Sequence, residues 1–483
     1  MLNRHLLAYL PVYLAQGLVG FGAVAVFTRI LSPEEYGRYV LILAGASLIG
    51  TLAFTWLDAA VARHHARAAS RGRLPGQLFT AWKLYALLAA PAAILGGLVL
   101  WVAPLAAELK AACSFAFAYT LLRSGLTLAL ETRRAGGEAW RYSLLETFTL
   151  SAGFALGVVF VSAGGLGAAG PFAGMALAAA IALVIDAPVL LSRSKRDRAD
   201  SRRAAAFFAY GAPVAVSLIF EHLLSVGDRF VIAAFLGEAA TGAYAAGYAV
   251  ADRSLSIVFL WLGTTTGPLL IAALEHRGRA AAEDVARNTA GLMALIGFPA
   301  AAGLALVSGD VARLLIGAEI AGQAANVIPF IALSGLMNGI MTFYFHEAYI
   351  LGRRPRAMAM IMAAAAILNL ALNLVLTPRF GLGGAALATV IAYGAALVTC
   401  AVHGRTAFPL PVPAKAWSSA ALATGVMAVV LLILPSPDAA FAALIVKVGA
   451  GVTAYGAAAL LLDVADCRSF VLVRLRTPKE AQA

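Results

Sequence analysis

Charge is what this chain has least of: only 12% of its 483 residues are Asp, Glu, Lys or Arg, about half the share of a soluble domain. A water-facing surface for a chain of this length needs far more, so ordinary globular classes are excluded, and with them a soluble catalytic domain. Cysteine is equally scarce. Cys113, Cys400 and Cys467 show no paired spacing, which excludes a disulfide framework and a cysteine metal site. The phosphate-cradling loop GxxxxGK[ST] is missing, so ATP hydrolysis by that route is excluded. Metalloprotease, kinase and nucleophile-elbow motifs are missing too, and no cofactor is expected. What remains is apolar: 62% of the chain is hydrophobic and the mean hydropathy is +0.87.

The apolar residues come in runs of about 20, the length a helix needs to cross a hydrocarbon core of ~30 Å. About fourteen such runs follow one another with short loops between them, and their Ala and Leu content favours helices over barrel strands. The first run, after Met1–His5 and through about Thr28, is nearly twice the apolar length of a cleaved secretion signal and is expected to be a membrane helix. The predicted fold is all-α and polytopic. Orientation follows from the basic residues. With the N-terminus inside, 26 of the 36 Lys and Arg fall on inside segments, 5 on outside loops and 5 within spans. Both termini are therefore expected in the cytoplasm of a bacterial cell, with the spans in its inner membrane. The net charge of +12 is spread over these inside segments, so it marks orientation and predicts no nucleic-acid partner.

The most basic loop, Ser192–Arg203, follows the sixth predicted helix and divides the chain. Two repeats support that division. Gly164–Ala178 and Phe380–Ala392 share a Gly-Leu-Gly core whose first glycines, Gly165 and Gly381, are 216 apart. Leu31–Tyr39 and Leu236–Tyr248 are a looser pair, with Tyr36 and Tyr244 offset by 208. Six helices separate the members of each pair, so the halves are expected to run parallel. The expected organisation is an N-lobe at 1–204, a C-lobe at 205–404, and two further helices with a cytoplasmic tail at 405–483.

Four stretches carry a family resemblance: TRILSPEEYGRYVL after the first helix, TWLDAAVARHHARA ending the second, GDRFVIAAFLGEAATGAYAAGYAVADR, and AILNLALNLVLTPRFGLGGAALATVI. In this order they resemble the polysaccharide-transporter branch of the multidrug/oligosaccharidyl-lipid/polysaccharide exporter (MOP) superfamily, over most of residues 1–404. The resemblance implies a MATE-like fold. It also implies a Wzx-type flippase that moves undecaprenyl-pyrophosphate-linked oligosaccharide between leaflets for polysaccharide, lipopolysaccharide or O-antigen synthesis. Some relatives with fourteen helices are lipid II flippases.

Charges inside spans cost ~2.5–3.5 kcal/mol each on insertion scales, which makes them functional candidates. Polar stripes at helical spacing run along the second helix (Ser47, Thr51, Thr55, Asp58), the fourth (Thr120, Arg123, Thr127), the seventh (Ser217, Glu221, Ser225, Asp228) and the eighth (Tyr244, Tyr248, Asp252, Ser256). Hydroxyls alone would bond back to their own helices; a carboxylate or Arg on every stripe predicts a hydrated cavity. Guanidinium forks suit pyrophosphate oxygens, so Arg123, Arg253, Arg229 and Lys83 are the candidate substrate cations, the last two the weaker. Glu221, Asp228, Asp252 and Asp58 are the candidate acids for proton or sodium coupling, Glu221 being the deepest. Asp186 is expected to pair with loop arginines such as Arg63, His64–His65 to be solvated, Asn369 and Asn373 to serve packing, and Lys447 to snorkel. Expected partners are the lipid-linked glycan, membrane lipids, and glycan polymerase or glycosyltransferase machinery. A multidrug/cation antiporter would place a carboxylate deep in the first helix, which has none. A polymerase or ligase would need a large outer loop, and the longest, Ser308–Ala325, is short.

Overall fold

The computed structural model describes residues 2–194, 200–263, 266–435 and 437–469; Lys195–Ala199 of the basic loop and the tail from residue 470 lie outside the described residues. The chain is all-helical. The first part runs α1 (Leu2–Ile30), α2 (Pro33–Ser70), α3 (Leu74–Val102), α4 (Ala107–Ala135), α5 (Ala139–Ser162), α6 (Gly170–Ser194) and α7 (Ser201–Leu236). The second runs α8 (Glu238–Gly263), α9 (Thr266–Leu306), a short α10 (Ser308–Leu315), α11 (Ala318–Ile340), α12 (His346–Leu351), α13 (Pro355–Gly404), α14 (Ala414–Ile433) and α15 (Ala440–Leu461). A π-turn at Met341–Phe345 joins α11 to α12.

Among the described residues twelve helical segments are long and apolar enough to cross a membrane. Two of them hold two runs each. The segment Glu238–Leu306 breaks at Gly278 (φ 81°) and α13 breaks at Gly381 (φ 59°). A side chain there would be strained in the left-handed region, so glycine sets both breaks. Counted this way the fourteen expected runs are present. Gly165, the partner of Gly381 in the sequence repeat, is also left-handed (φ 61°).

Helix starts are written in the sequence. Ser32 caps α2 by accepting a hydrogen bond from the Glu35 amide (3.2 Å), and the Glu35 carboxylate accepts one from the Ser32 amide (2.9 Å). This reciprocal capping box, with Pro33 in the first turn, is the local reason for the string SPEE. The side chain of Asp200 caps α7 in the simpler way, accepting from the Arg202 amide.

The buried interior is built mainly of alanine, for instance Ala179, Ala182, Ala245, Ala286 and Ala423. Large apolar side chains point out instead: Trp101 is 77% exposed and Leu461 80%. That inversion suits lipid, where apolar faces need no burial and small residues let helices approach for dispersion contact. By contacts the described chain forms two compact units, Met1–Gly242 and Ala243–Ala483. In the first, α2 packs along both α4 and α7, and α5 along α1 and α6. In the second, α11 packs on α9 and α13, and α14 on α9 and α15.

One contact in the first unit joins the two repeated segments. α2 starts at Pro33 and α8 at Glu238, 205 residues apart. That register pairs Gly37 with Gly242 and Tyr39 with Tyr244, where the sequence spacing had paired Tyr36 with Tyr244. A Cβ on Gly37 would overlap the Glu238 carbonyl, and one on Gly242 would lie 3.1 Å from the Gly37 nitrogen. Only glycine admits this approach. Beside it Arg38 Nε donates to Glu238 Oε2 at 2.6 Å, with Glu108 at 3.8 Å from the same guanidinium.

Candidate functional site

The candidate residues are best described within each unit. In the first, the centre of charge is Arg123 on α4. Its guanidinium donates two parallel hydrogen bonds to Glu146 on α5, Nη1 to Oε2 at 2.8 Å and Nη2 to Oε1 at 2.7 Å. The arginine side chain is 29% exposed and the glutamate 5%. The arginine side chain is therefore partly exposed while its counter-ion is closed in. Asp58 on α2 is buried and close enough to Glu131 and Arg123 to feel both charges. Glu131 in turn accepts from Arg134 at 2.6 Å. Tyr119 and Tyr142 also lie within electrostatic reach of Arg123.

Glu146 and Glu131 were not singled out from the sequence. The signal was available for Glu146, a lone charge inside the apolar run of the fifth helix, by the same criterion that flagged Arg123.

Along α7 the stripe divides. Asp228 is buried, Ser217 is half-buried and Glu221 is exposed. The seven-residue offset between Glu221 and Asp228 turns them by only about 20°; what separates them is packing along the length of α7. His222, which the stripe passed over, meets Ser47 of α2 at 2.7 Å and lies near enough to Arg229 to feel its charge. Lys83 is exposed on α3.

Most stripe hydroxyls return to their own helix. Thr120 donates to the Ala116 carbonyl, Thr127 to Arg123, Ser217 to Pro213 and Ser225 to His222. That is the usual outcome for hydroxyls in apolar helices.

A second ionic cluster ties the ends of α4, α5 and α6. Arg133 and Asp186 are both 0% exposed and pair at 3.0 Å, and Arg141 adds a bond to Asp186 at 2.7 Å. Asp186 thus takes its arginines from α4 and α5, not Arg63. Glu138, in the turn between those helices, joins Arg133 (2.8 Å) and Arg193. Burial pushes the Glu138 carboxyl up, but the hydrogen bonds and charge of Arg193 and Arg133 outweigh it and hold the carboxyl below its usual range. A lowered folded value stabilises the fold above the unfolded value near 4.5 and is lost as the pH falls through the folded value. The melting temperature of purified protein should therefore drop more steeply below about pH 4.5 for wild type than for Glu138→Gln, the difference remaining small because Glu138 is partly solvated. Equal pH slopes for the two proteins would count against this.

In the second unit Asp252 and Arg253 are half-buried on α8. Asn369 and Asn373 are fully buried in a chain that runs around the Gly381 break. Thr377 donates to Asn373 Oδ1 (3.1 Å), Asn373 to Asn369 Oδ1 (3.3 Å), Asn369 to Thr389 Oγ1 (3.4 Å), and Tyr244 meets Thr389 (3.4 Å). Lys447 on α15 does not simply snorkel; it pairs with Asp310 of α10 at 2.8 Å. Among the described residues no three His, Cys, Asp or Glu side chains gather as a metal site requires. His64 and His65 are not solvated as expected, His65 being buried and His64 stacked on Phe207.

Known proteins place this arrangement. The chain is similar in structure to the lipid II flippase MurJ in an inward closed conformation, with TM-score 0.78 at 12% identity over 96% of this chain and 100% of that one. It is similar to an inward-facing multidrug resistance MATE family transporter of the MOP superfamily, with TM-score 0.65 at 14% identity over 82% and 93%. It is also similar to a MOP superfamily transporter from Pyrococcus furiosus, described as having a binding pocket of reverse polarity, with TM-score 0.56 at 15% identity over 83% and 93%. At these identities the likeness establishes the fold, which is MurJ- and MATE-like. No curated protein matches the sequence. The model of the polysaccharide biosynthesis protein family matches residues 3–272, more than half of this multi-pass membrane chain, and the chain belongs to that family.

Proposed function

We propose that the protein is a flippase that carries an undecaprenyl-pyrophosphate-linked oligosaccharide from the inner to the outer leaflet of a bacterial inner membrane, for polysaccharide or O-antigen assembly. The family match on an exporter fold carries this reading. On it, the basic segments face the cytoplasm, the halves 1–204 and 205–404 alternate in access, and the guanidinium of Arg123, on a partly exposed side chain, receives the pyrophosphate. Arg123 must then exchange one anion for another, because Glu146 already fills its fork. Trading one bidentate oxyanion for another keeps the arginine paired throughout and avoids an isolated charge in a low-dielectric interior. Arg253, Arg229 and Lys83 are secondary contacts for the head group. Released from Arg123, Glu146 is left a closed-in carboxylate without its partner, and Asp58, within electrostatic reach of Arg123, is a further coupling candidate. Glu221, Asp228 and Asp252 remain candidates for the same role with a proton or sodium ion. A lipid II substrate is the second reading, favoured by the full-length likeness to a lipid II flippase, including the last two helices.

Deletion of the gene followed by separation of lipid-linked glycans tests the proposal. The expected result is loss of surface polysaccharide with lipid-linked oligosaccharide retained on the inner leaflet. Normal surface glycan with no inner-leaflet intermediate would sink it, and loss of peptidoglycan synthesis alone would select the lipid II reading.

A further inference from the structure

A second cationic feature lies in the first unit, away from Arg123. The turn from α2 to α3 is two residues of backbone reversal around Gly72, whose φ of 66° lets the Arg73 amide bond back to the Ala68 carbonyl at 2.8 Å and the Gly72 amide to Ala69 at 3.1 Å. This helix-ending motif turns Arg71 and Arg73 onto the same hollow as Arg67 from the last turn of α2. Arg203, from the first turn of α7, closes the other side. The four arginines surround a cavity of about 130 Å³, the volume of roughly four waters at ~30 Å³ each, enough for one phosphate group.

Inside the cavity are Gln77, which is buried and donates to the Val61 carbonyl at 3.2 Å, and His64. His64 Nε2 is buried with no hydrogen-bond partner. Among the described residues no carboxylate lines the space. Arg203 pairs with Asp200 at 3.5 Å, while Arg67, Arg71 and Arg73 pair with no carboxylate among the described residues. Four other arginines near helix ends in this unit are matched: Arg133, Arg134, Arg141 and Arg193 each have an acid. Orientation of helices in the membrane requires positive charge on this side, but it does not require four arginines to converge on one cavity with no acid among its described lining residues.

We propose that this cavity binds the phosphate group of an anionic membrane lipid. Guanidinium forks match phosphate oxygens geometrically, and basic pockets between membrane helices take lipid head groups in this way. The partnerless His64 Nε2 supplies one more polar contact to the occupant. The site is independent of the flippase reading, since it uses none of the residues assigned there.

The test uses the full-length protein in a neutral detergent, with bound lipid counted by native mass spectrometry and melting followed in parallel. Titration with phosphatidylglycerol should give binding that phosphatidylcholine does not. The triple variant Arg67→Gln, Arg71→Gln, Arg73→Gln should weaken it about tenfold or more. A control, Arg353→Gln, Arg354→Gln, Arg356→Gln, removes the same charge from the exposed α12–α13 turn and should leave binding within about twofold. Equal loss in both variants would reduce the effect to general attraction and overturn the site. Tighter binding of inorganic phosphate or pyrophosphate than of the lipid would overturn the lipid as its source. An unchanged melting temperature without lipid keeps the triple variant interpretable; if it falls, Arg71→Gln with Arg73→Gln on the exposed turn is read instead, and undiminished lipid binding there overturns the proposal.

Discussion

Arg123→Ala is expected to abolish glycan export and to lower stability by about 3–5 kcal/mol, because it leaves the Glu146 carboxylate closed in without its partner. Those two losses must be separated. Replacing both partners by apolar residues of similar volume, Arg123→Met with Glu146→Leu, removes the stranded charge and should return the melting temperature to within a few degrees of wild type, as such replacements do for other buried pairs. Export should stay absent in that double variant, measured by complementation of a deletion strain with protein levels matched by immunoblot. Recovery of export along with stability would make the pair a packing device and remove Arg123 from the substrate path. Glu146→Gln adds a third reading. It keeps the shape and one hydrogen bond while leaving the guanidinium charged, so the head group would bind more tightly and leave more slowly, reducing turnover without loss of protein.

Gly37→Leu should have an effect of similar size by a different route. Its Cβ would fall on the Glu238 carbonyl, and backbone gives way far less readily than a side-chain tip, so the starts of α2 and α8 are forced apart. Export should fall below detection while insertion and family-typical expression persist. The Arg38–Glu238 ion pair beside it allows a finer measurement. Arg38→Glu alone sets three acids together, since Glu108 is also near; combining it with Glu238→Arg restores the attraction in reversed order. Export lost in the single variant and regained in the double assigns a working role to the contact. If neither single reversal alters export, the pair is an ordinary surface bridge worth ~0–1 kcal/mol.

Much of the architecture was legible because lipid imposes few rules. Backbone groups must be satisfied within each helix and apolar faces need no burial, so run length and basic residues are enough to mark the spans. The breaks at Gly278 and Gly381 and the cap at Ser32 use residue types suited to them, but residue type alone does not single these positions out among 46 glycines. The site was less legible. Spacing puts Thr120, Arg123 and Thr127 on one face of α4, but it does not say which helix that face meets. Glu146 was legible as a lone charge in an apolar run, but its pairing with that face was not, and His222 sits one residue off the stripe it follows. Glu221 and Asp228 share a stripe yet differ in exposure, since burial along α7 changes with what packs against each end. Asp186 found arginines, though not the loop arginine nearest in the reading, because the turn at Glu138 brings Arg133 and Arg141 inward.

The approach of Gly37 to Gly242 also has a symmetry. In the register set by the two helix starts each glycine meets the backbone of the other segment, as a single patch does when a two-fold axis passes through it. The ion pair breaks that symmetry. In the same register Arg38 corresponds to Ala243 and Glu238 to Pro33, so one side of the local axis carries a charge latch for which the other side has no residues.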